Sequence, residues 1–308
     1  MAKLIIPREA KFYEFTPSAI PVATCHPGDR LVFETTEAPD GQLRTEHDLI
    51  TMMDPQRANP TTGPVAVVGC GPGDTLAITI EEIHLEGPCF MGYTPSCGVL
   101  ADLIAGTATK ILPIKDGQLQ FGRFPMPLHP MIGVIGTTPV QPAKTNSFGP
   151  HGGNMDNRKI GVGARVFLPV FVEGALFGLG DLHASMGDGE VCGCGVEVAG
   201  EVEVMVDVLK GFSLGYPMVE TDEELMVAGE GGDLFTAIRI ACGRMHTLLM
   251  QLGGLSSGEA YFFLSAFSHV EVCQCAFCYS SMLEPGPRVS VRVTIPKVIN
   301  LPKPSTMN

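Results

Sequence analysis

The amino-acid sequence predicts a predominantly β fold of the sandwich or barrel type, with a smaller C-terminal α+β segment. Glycine (37) and proline (25) are both well above ordinary usage in the 308 residues, which favours turns and short strands over long helices. Several stretches alternate apolar and polar residues, whereas helical spacing begins only after about residue 215. We therefore predict a β-rich region over residues 1–215 that carries the functional site, and a helical and strand segment over residues 216–308 packed against it.

The first two clear strands each follow a turn that contains Pro-Gly-Asp. Apolar residues occupy every second position of DRLVFETT (29–36), which is the period of a half-buried strand. In TLAITIEEIHLEG (75–87) the apolar positions change parity halfway along the stretch. One extra residue in the strand explains this change, so we predict a β-bulge near Glu81 and Glu82.

Two later stretches also predict strands. RVFLPVFV (165–172) is apolar on both faces and is typical of a central strand, although Pro169 favours an edge or a bulge. EVEVMVDVLKG (201–211) places valines at every second position against mostly acidic residues. That alternation predicts a strand with one face in water.

The C-terminal segment has helical spacing with recognisable caps. GGDLFTAIRIACGRMHTLLMQLGG (231–254) repeats apolar residues at three- and four-residue intervals, with Asp233 as the N-cap and Gly-Gly as the stop. Ser256 and Glu259 form a capping-box pattern for a second helix. VSVRVTIPK (289–297) then returns to alternation and predicts a late strand.

The charge balance excludes several classes of partner. The formal net charge is −13, and an acidic chain without a Lys/Arg cluster repels phosphate backbones and anionic lipids. With no tryptophan and five tyrosines, it also lacks the usual material for stacking bases or sugars. We therefore expect a small-molecule ligand and neither a nucleic-acid nor a membrane partner.

The N-terminus and the cysteines indicate where the protein resides. The first residues hold too few apolar side chains for a signal peptide, and no later run is long enough to cross a membrane. We expect a soluble, cytoplasmic protein, in which thiols stay reduced. Most of the ten cysteines are then expected to be small apolar core residues.

The stretch GDLHASMGDGEVCGCG (180–195) gathers side chains that bind metals. Asp181 and His183 share parity on a predicted strand, so we expect both to project from one face. After a turn at residues 187–189, Glu190 is expected to begin a returning strand beside them. A Zn²⁺ ion with three N/O ligands and one open position is a common hydrolytic site. The alternative is an acidic hairpin whose histidine is merely solvated.

Two upstream loops supply similar chemistry. PLHPMIGVIG (127–136) places His129 between prolines and glycines, and GPHGGNMDNRK (149–159) places Asn154 and Asp156 two residues apart in a glycine-rich loop. Such loops allow a ligand to approach the backbone closely. Each residue also has a structural alternative: a left-handed turn for Asn154, a cap for Asp156 and a hydrogen-bonded core histidine for His129.

Taken together, long segments of the chain resemble the acetamidase/formamidase family of small-amide hydrolases. The stretch over 149–193 is too long and specific for a short-motif coincidence, and the matching segments cover most of the chain. The resemblance implies a β-dominated fold, hydrolysis of a short aliphatic amide such as formamide or acetamide to the carboxylate and ammonia, a site for zinc or alternatively calcium, and a homodimer or larger homo-oligomer. The matching segments are 59–74, 129–139, 149–193 and, more loosely, the C-terminal helical segment.

Amide hydrolysis requires a nucleophile, a polarised carbonyl and a proton for the departing amine. We assign Asp181, His183 and Asp156 as ligands of a divalent cation. Glu190 is assigned as the general base for water and the later proton donor. The predicted roles of Asn154 and His129 are to bind the oxyanion or the leaving nitrogen.

Two other interpretations stay open. Cys192 or Cys194 can act as a covalent nucleophile, but an activated thiolate needs a base, a lysine or a helix N-terminus beside it, and the sequence has no lysine between Lys159 and Lys210. CQCAFC (273–278) lacks a second cysteine pair for a four-thiolate zinc site. A non-catalytic β-sandwich that binds a metal or a small metabolite is the remaining class, and it differs because it releases no ammonia.

Overall fold

The computed structural model describes residues 3–213, 215–275 and 289–302. Strands account for 43% and helices for 13% of the structure, and most strands belong to one large curled sheet, which confirms the predicted fold class. The strands are β1 Leu4–Ile6, β2 Lys11–Phe12, β3 Glu14–Phe15, β4 Ala23–Cys25, β5 Arg30–Thr35, β6 Thr61–Val67, β7 Thr75–Tyr93, β8 Ala108–Leu112, β9 Ile114–Lys115, β10 Gln118–Phe121, β11 Phe124–Pro127, β12 Met131–Gly136, β13 Ala143–Lys144, β14 Phe148–Gly149, β15 Gly152–Asn154, β16 Arg165–Pro169, β17 Phe177–His183, β18 Glu197–Leu209, β19 Met218–Glu220, β20 Glu224–Gly231, β21 His269–Gln274 and β22 Val289–Pro296.

Two α-helices and three short 3₁₀ helices complete the described elements. They are α1 Leu234–Gln251, α2 Ser257–Phe267 and the 3₁₀ turns Ile50–Met52, Pro55–Arg57 and Ala101–Leu103. None of the helices in the described part of the chain combines the length and apolarity that a bilayer crossing requires.

Strand β18 organises the sheet. It pairs antiparallel with β5 and β7 along its length and with the end of β17 at its start. Strand β17 pairs in turn with β6 and β12, and β12 pairs with β15. Antiparallel strands with apolar inner faces enclose a core between them. The ends of β15, β17 and β18 therefore meet at one place in the fold.

The predicted N-terminal strands are confirmed. In β5 the residues buried at every second position are Leu31, Phe33 and Thr35. In β7 the register against β18 shifts between Ile80 and Glu82, so Glu81 is the extra residue of the predicted β-bulge. The local sequence thus determines both the strand and its irregularity.

The two later strands of the β-rich region are confirmed as well. β16 lies between β7 and β19 and ends at Pro169, so the proline terminates a central strand rather than marking an edge. In β18 the valines at 202, 204, 206 and 208 are all buried, as their alternation predicts. Glu203 on the opposite face is also buried, and positions 201, 205 and 207 are half-buried, so the face predicted to lie in water is largely covered.

The C-terminal helices have the predicted caps. The Asp233 side chain accepts a hydrogen bond from the backbone of Thr236, and Ser256 and Glu259 form a capping box. Leu234 is 45% exposed, however, so the apolar face of α1 begins later than its spacing predicts. Residues Ala237, Ala241, Met245, Leu248 and Leu249 pack against β20 and β22 in a second core.

The predicted late strand is confirmed as β22. Every residue of β22 except Pro296 is buried, so both of its faces are covered. Even Arg292 is fully buried. The division of the chain at residue 215 stays a prediction.

The described cysteines agree in part with the expectation of reduced thiols. Eight of them are free, and Cys25, Cys70, Cys89 and Cys273 are buried among other core residues. Cys97 is disulfide-bonded, so the expectation does not hold at that position.

Candidate active site

Four carboxylates and one imidazole lie together inside the protein. Asp181 and His183 end strand β17, Glu197 begins β18, Asp156 follows β15, and Glu190 lies in the loop between β17 and β18. All five are at most 7% exposed. Because buried charges are costly unless paired or bound to a metal, a cluster of this kind requires a function.

The distances bring the five side chains around one small space. His183 Nε2 lies 3.5 Å from Asp181 Oδ1 and 3.3 Å from Glu197 Oε2. Two sets of three can each offer ligand atoms within 4.8 Å of one another, namely Asp156 with His183 and Glu190, and Asp181 with His183 and Glu197. His183 belongs to both sets.

Two glycines make room for this cluster. A Cβ atom on Gly133 of β12 would lie 2.5 Å from Asp181 Oδ2 and 2.8 Å from Asp156 Oδ1. A Cβ atom on Gly195 would lie 2.4 Å from His183 Nδ1. Real Cβ atoms do not approach other atoms so closely, so each position requires glycine if the side chains are to stay in place.

The backbone at the site is unusual. Asn59, Asp156, Asp181 and Glu190 have φ values of 50°, 43°, 57° and 41°, in the left-handed region that non-glycine residues rarely adopt. Asp181 nevertheless lies within β17, whose register against β12 is the same on both sides of it, and its side chain meets that of His183 as the sequence predicts.

The structure also differs from the hairpin that was predicted to bring Glu190 beside Asp181 and His183. Glu190 does not begin the returning strand, which starts at Glu197 opposite His183. Glu190 instead lies in a loop whose Gly189 forms an isolated bridge with Gln274 of β21. The loop brings the Glu190 carboxylate to the cluster without a hairpin.

Amide side chains hold the carboxylates. Asn59 Nδ2 donates to Asp181 Oδ2 at 2.9 Å. Gln274 Nε2 donates to Asp156 Oδ2 at 2.8 Å and to Glu190 Oε2 at 2.6 Å. The side-chain amide of Gln274 therefore bridges the carboxylates of Asp156 and Glu190.

Several buried atoms of the cluster have no hydrogen-bond partner among the described residues, namely Asp156 Oδ1, His183 Nδ1 and Glu197 Oε2. Unsatisfied buried acceptors are rare in folded proteins and call for a specific explanation. Carboxylate oxygens and an imidazole are the donors that divalent metals take in hydrolytic sites. The residues present therefore fit a divalent cation.

The electrostatics point the same way. Burial, with the charges of Glu190 and Asp181, raises the pKa of the Asp156 carboxyl well above its usual range. Burial raises the pKa of Glu190 to about 7, although His183 and Gln274 act against it. Burial by itself lowers the pKa of His183, but Glu197 and Asp181 outweigh it and raise that pKa well above its usual value. Four carboxylates beside one imidazole carry excess negative charge that a dication neutralises.

The two nearby thiols are not activated. Burial raises the pKa of Cys192 and of Cys194, and the charge of Glu197 adds to the effect at Cys194. Cys194 Sγ lies 3.4 Å from Glu197 Oε1 and donates to it. A nucleophilic cysteine needs a lowered pKa, so the geometry does not favour the covalent alternative.

The five residues of the cluster line a cavity of about 250 Å³. Asn154 also lines this cavity, and its Oδ1 accepts from Asn59 Nδ2 at 3.4 Å. The lining also includes the apolar side chains Leu43, Ile50, Met53 and Phe90. A cavity that combines apolar side chains with a few convergent polar groups is the usual form of a small-molecule site.

The structure separates His129 from the other site residues predicted from the sequence. His129 is exposed, does not line the cavity, and uses its backbone N–H to donate to Ala184 O at 2.9 Å. The prolines near His129 shape the backbone of this loop and do not bring its imidazole to the cavity. The prediction that His129 binds an oxyanion or leaving nitrogen therefore lacks geometric support.

Two other histidines and the described cysteines of the CQCAFC stretch lie elsewhere. His84 is exposed beside Glu82, and His246 contacts the start of α2. Of the CQCAFC stretch, Cys273 and Cys275 are described, and residues 276–278 lie outside the described residues. None of these described side chains belongs to the two sets of ligand atoms.

Three functional residues were not predicted from the sequence. Glu197 resembles a polar position of an alternating strand, and Gln274 lies 84 residues from the Glu190 that it contacts. Asn59 is the first residue of segment 59–74, one of the segments that resemble the acetamidase/formamidase family. That resemblance was the available signal for Asn59.

Comparison with known proteins identifies the family of this chain. The model of the Acetamidase/Formamidase family matches residues 8–148 and 140–299. An acetamidase from Mycolicibacterium smegmatis is 28% identical over 277 residues, which is 67% of this chain and 67% of that protein. Among solved structures, an acetamidase from Bacillus halodurans is 35% identical, with a TM-score of 0.89 and coverage of 95% of this chain and 97% of the other. An acetamidase from Yersinia enterocolitica is 27% identical, with a TM-score of 0.87 and coverage of 96% and 92%. The chain therefore belongs to the acetamidase/formamidase family.

Proposed function

We propose that this protein is an amidohydrolase that cleaves the C–N bond of a short aliphatic amide to the carboxylate and ammonia. The observation that carries the proposal is the buried cluster of four carboxylates and His183 that lines a cavity. Family membership supports the reaction class. The partner is then a small amide, which suits the cavity and the net negative charge.

We propose that the cluster holds one divalent cation. His183 with Asp181 and Glu197 is the favoured ligand set, because His183 Nε2 faces both carboxylates and Glu197 Oε2 has no hydrogen-bond partner among the described residues. The mixed nitrogen and oxygen donors favour zinc, whereas calcium prefers oxygen ligands alone and is the alternative. When bound, such a cation polarises a carbonyl group and lowers the pKa of water at the site.

This ligand set modifies the sequence-based assignment of Asp156. With Asp181, His183 and Glu197 as ligands, Asp156 and Glu190 are free to act together, because the Gln274 amide bridges them. The other possible set, Asp156 with His183 and Glu190, keeps Asp156 as a ligand and removes Glu190 from acid–base work. Metal content of a Glu190 variant distinguishes the two sets.

Glu190 is proposed as the general base and later proton donor. A pKa of about 7 is suited to taking a proton from water and returning one at neutral pH. The proton then leaves on the amine nitrogen, so that amide and water yield carboxylate and ammonium. Asn154, which lines the same cavity, is proposed to donate a hydrogen bond to the amide oxygen or nitrogen.

The test combines metal analysis with ammonia release from formamide, acetamide and propionamide. Prolonged chelation is expected to abolish turnover, and stoichiometric zinc is expected to restore it. Full turnover in demonstrably metal-free protein excludes the metal-assisted reaction. Amide binding without ammonia release from the metal-loaded protein identifies the non-catalytic alternative instead.

We also propose that the protein is a homo-oligomer in the cytoplasm. Helix α2 exposes Tyr261, Phe262 and Phe267 at 72%, 75% and 57%, and large exposed apolar patches mark interaction surfaces. The eight free thiols among the described residues support the location. Sedimentation of the purified protein and of Phe262→Asp tests the assembly, since a wild-type monomer at all concentrations contradicts it.

A further inference from the structure

The guanidinium of Arg292 is the largest fully buried side chain in the described structure, with 0% exposure. Arg292 lies on β22, outside the cavity wall. Its Nη1 and Nη2 donate to the two carboxylate oxygens of Asp188 at 2.7 and 2.9 Å. Nε donates to Glu271 at 3.0 Å and Nη1 to Asn157 Oδ1 at 3.3 Å. The N–H groups of this buried guanidinium therefore donate to side chains from three different segments of the chain.

Each partner lies next to a residue of the proposed site. Asp188 is two residues before Glu190, and Asn157 directly follows Asp156. Glu271 lies on β21, the strand that also carries Gln274. Glu190, Asp156 and Gln274 are the three groups joined by the bridging amide. Arg292 therefore contacts a side chain within three residues of each of these three groups.

We propose that Arg292 is a positioning residue that sets the spacing of Asp156, Glu190 and the Gln274 amide. It acts through Asp188, Asn157 and Glu271 rather than on the substrate, and the inference rests on the proposed hydrolysis. A planar guanidinium holds a carboxylate with two parallel bonds, which fixes orientation as well as distance. A lysine provides a point charge and does not fix that orientation.

We expect the position of the loop that carries Glu190 to depend on the contact between Arg292 and Asp188. Its other links to the C-terminal segment include the backbone bonds from Gly189 N to Cys273 O at 3.1 Å and from Cys275 N to Gly189 O at 3.0 Å. The backbone at Glu190 is left-handed, so the loop holds a conformation that it does not prefer. Release of Asp188 is expected to let Glu190 move away from the bridging amide.

The variants are Asp188→Asn and Arg292→Lys, with Asp74→Asn as the matched control. Asp74 is likewise a carboxylate that pairs with a cation, Lys210, although Asp74 is buried and Asp188 is exposed; neither Asp74 nor Lys210 lines the cavity. For Asp188→Asn, kcat for acetamide is expected to fall about 10²-fold, the usual cost of misplacing a reacting group by about 1 Å. Zinc content is expected to stay near wild type and KM to change less than kcat, because the favoured ligands Asp181, His183 and Glu197 stay in place and the displaced Glu190 acts in the reaction step.

A second readout does not depend on turnover. Hydrogen exchange of the metal-free protein is expected to accelerate across residues 186–194 in Asp188→Asn, and to stay at the wild-type rate there in Asp74→Asn. If Arg292→Lys does not fold, Asp188→Asn alone decides the question. Asp188→Asn that matches Asp74→Asn in both kcat and exchange overturns the proposal. A wild type that releases no ammonia refutes the hydrolysis, and the exchange result still tests the anchoring.

Discussion

Replacement of Gly133 by alanine gives the sharpest test of the site geometry. The new Cβ atom is 2.5 Å from Asp181 Oδ2, 2.8 Å from Asp156 Oδ1 and 2.9 Å from the Asp181 carbonyl oxygen. The carboxylate of Asp181 must retreat by about 0.9 Å to reach an ordinary contact distance of 3.4 Å. Displacements of about 1 Å cost on the order of 10²-fold in rate, and overpacking costs about 1–3 kcal/mol of stability.

The assay measures kcat with acetamide, zinc content by elemental analysis and the melting temperature. For Gly133→Ala we expect kcat to fall about 10²-fold, with weaker zinc binding because a proposed ligand moves. Gly243→Ala is the control, since a Cβ at this position in α1 meets nothing within 4 Å and should stabilise the helix by about 0.5–1 kcal/mol. Wild-type turnover and zinc content in Gly133→Ala refute the reasoning, because the carboxylates then do not need this space.

Four further predictions follow from the same cluster. Glu190→Gln should keep its zinc and lose about 10²- to 10⁴-fold in kcat; loss of the metal instead identifies Glu190 as a ligand. Cys192→Ala and Cys194→Ala should keep most of the turnover, and a loss of several orders of magnitude in a folded variant revives the covalent route. kcat/KM should rise about fourfold per added methylene from acetamide to butyramide, since the apolar wall gains about 0.8 kcal/mol for each; a flat or falling series contradicts a role for that wall. The stability of the metal-free wild type relative to metal-free Glu190→Gln should fall as pH rises from about 4.5 to about 7, because the folded state binds the Glu190 proton more tightly than the unfolded chain does. Burial lowers the pKa of His151 to about 4 and acts in the opposite direction, but it does so in both proteins. Denaturant melts of the two proteins across this range check the sign, and a stability difference that increases with pH contradicts it.

Local sequence patterns predict much of the fold. Alternation identifies β5 and β18, a change of parity identifies the bulge at Glu81, and side-chain chemistry identifies the caps at Asp233 and Ser256. Each of these features depends on residues that are near one another in the chain. Strand β22 is also predicted, but the burial of its Arg292 is not, because it depends on Asp188, 104 residues away. A single sequence contains no local signal for such a contact.

The same distinction applies to the candidate site. Asp156, Asp181, His183 and Glu190 come from two short stretches whose glycine-rich composition already indicates function. Gln274 lies on a strand of the C-terminal segment and reaches Asp156 across 118 residues. The C-terminal segment therefore supplies part of the site, rather than only packing against the region that carries it.

The left-handed backbone at the cluster links its stability to its chemistry. Non-glycine residues in this region cost on the order of 1–3 kcal/mol each, and Asn59, Asp156, Asp181 and Glu190 all adopt it. The carboxylates of Asp156, Asp181 and Glu190 also repel one another in a buried space. A dication that binds only the folded state would offset both costs, because its binding free energy adds to the stability of that state. Three of the four strained residues carry carboxylates of the cluster around His183, so the conformation that weakens the metal-free protein is the one that gathers the groups suited to a cation.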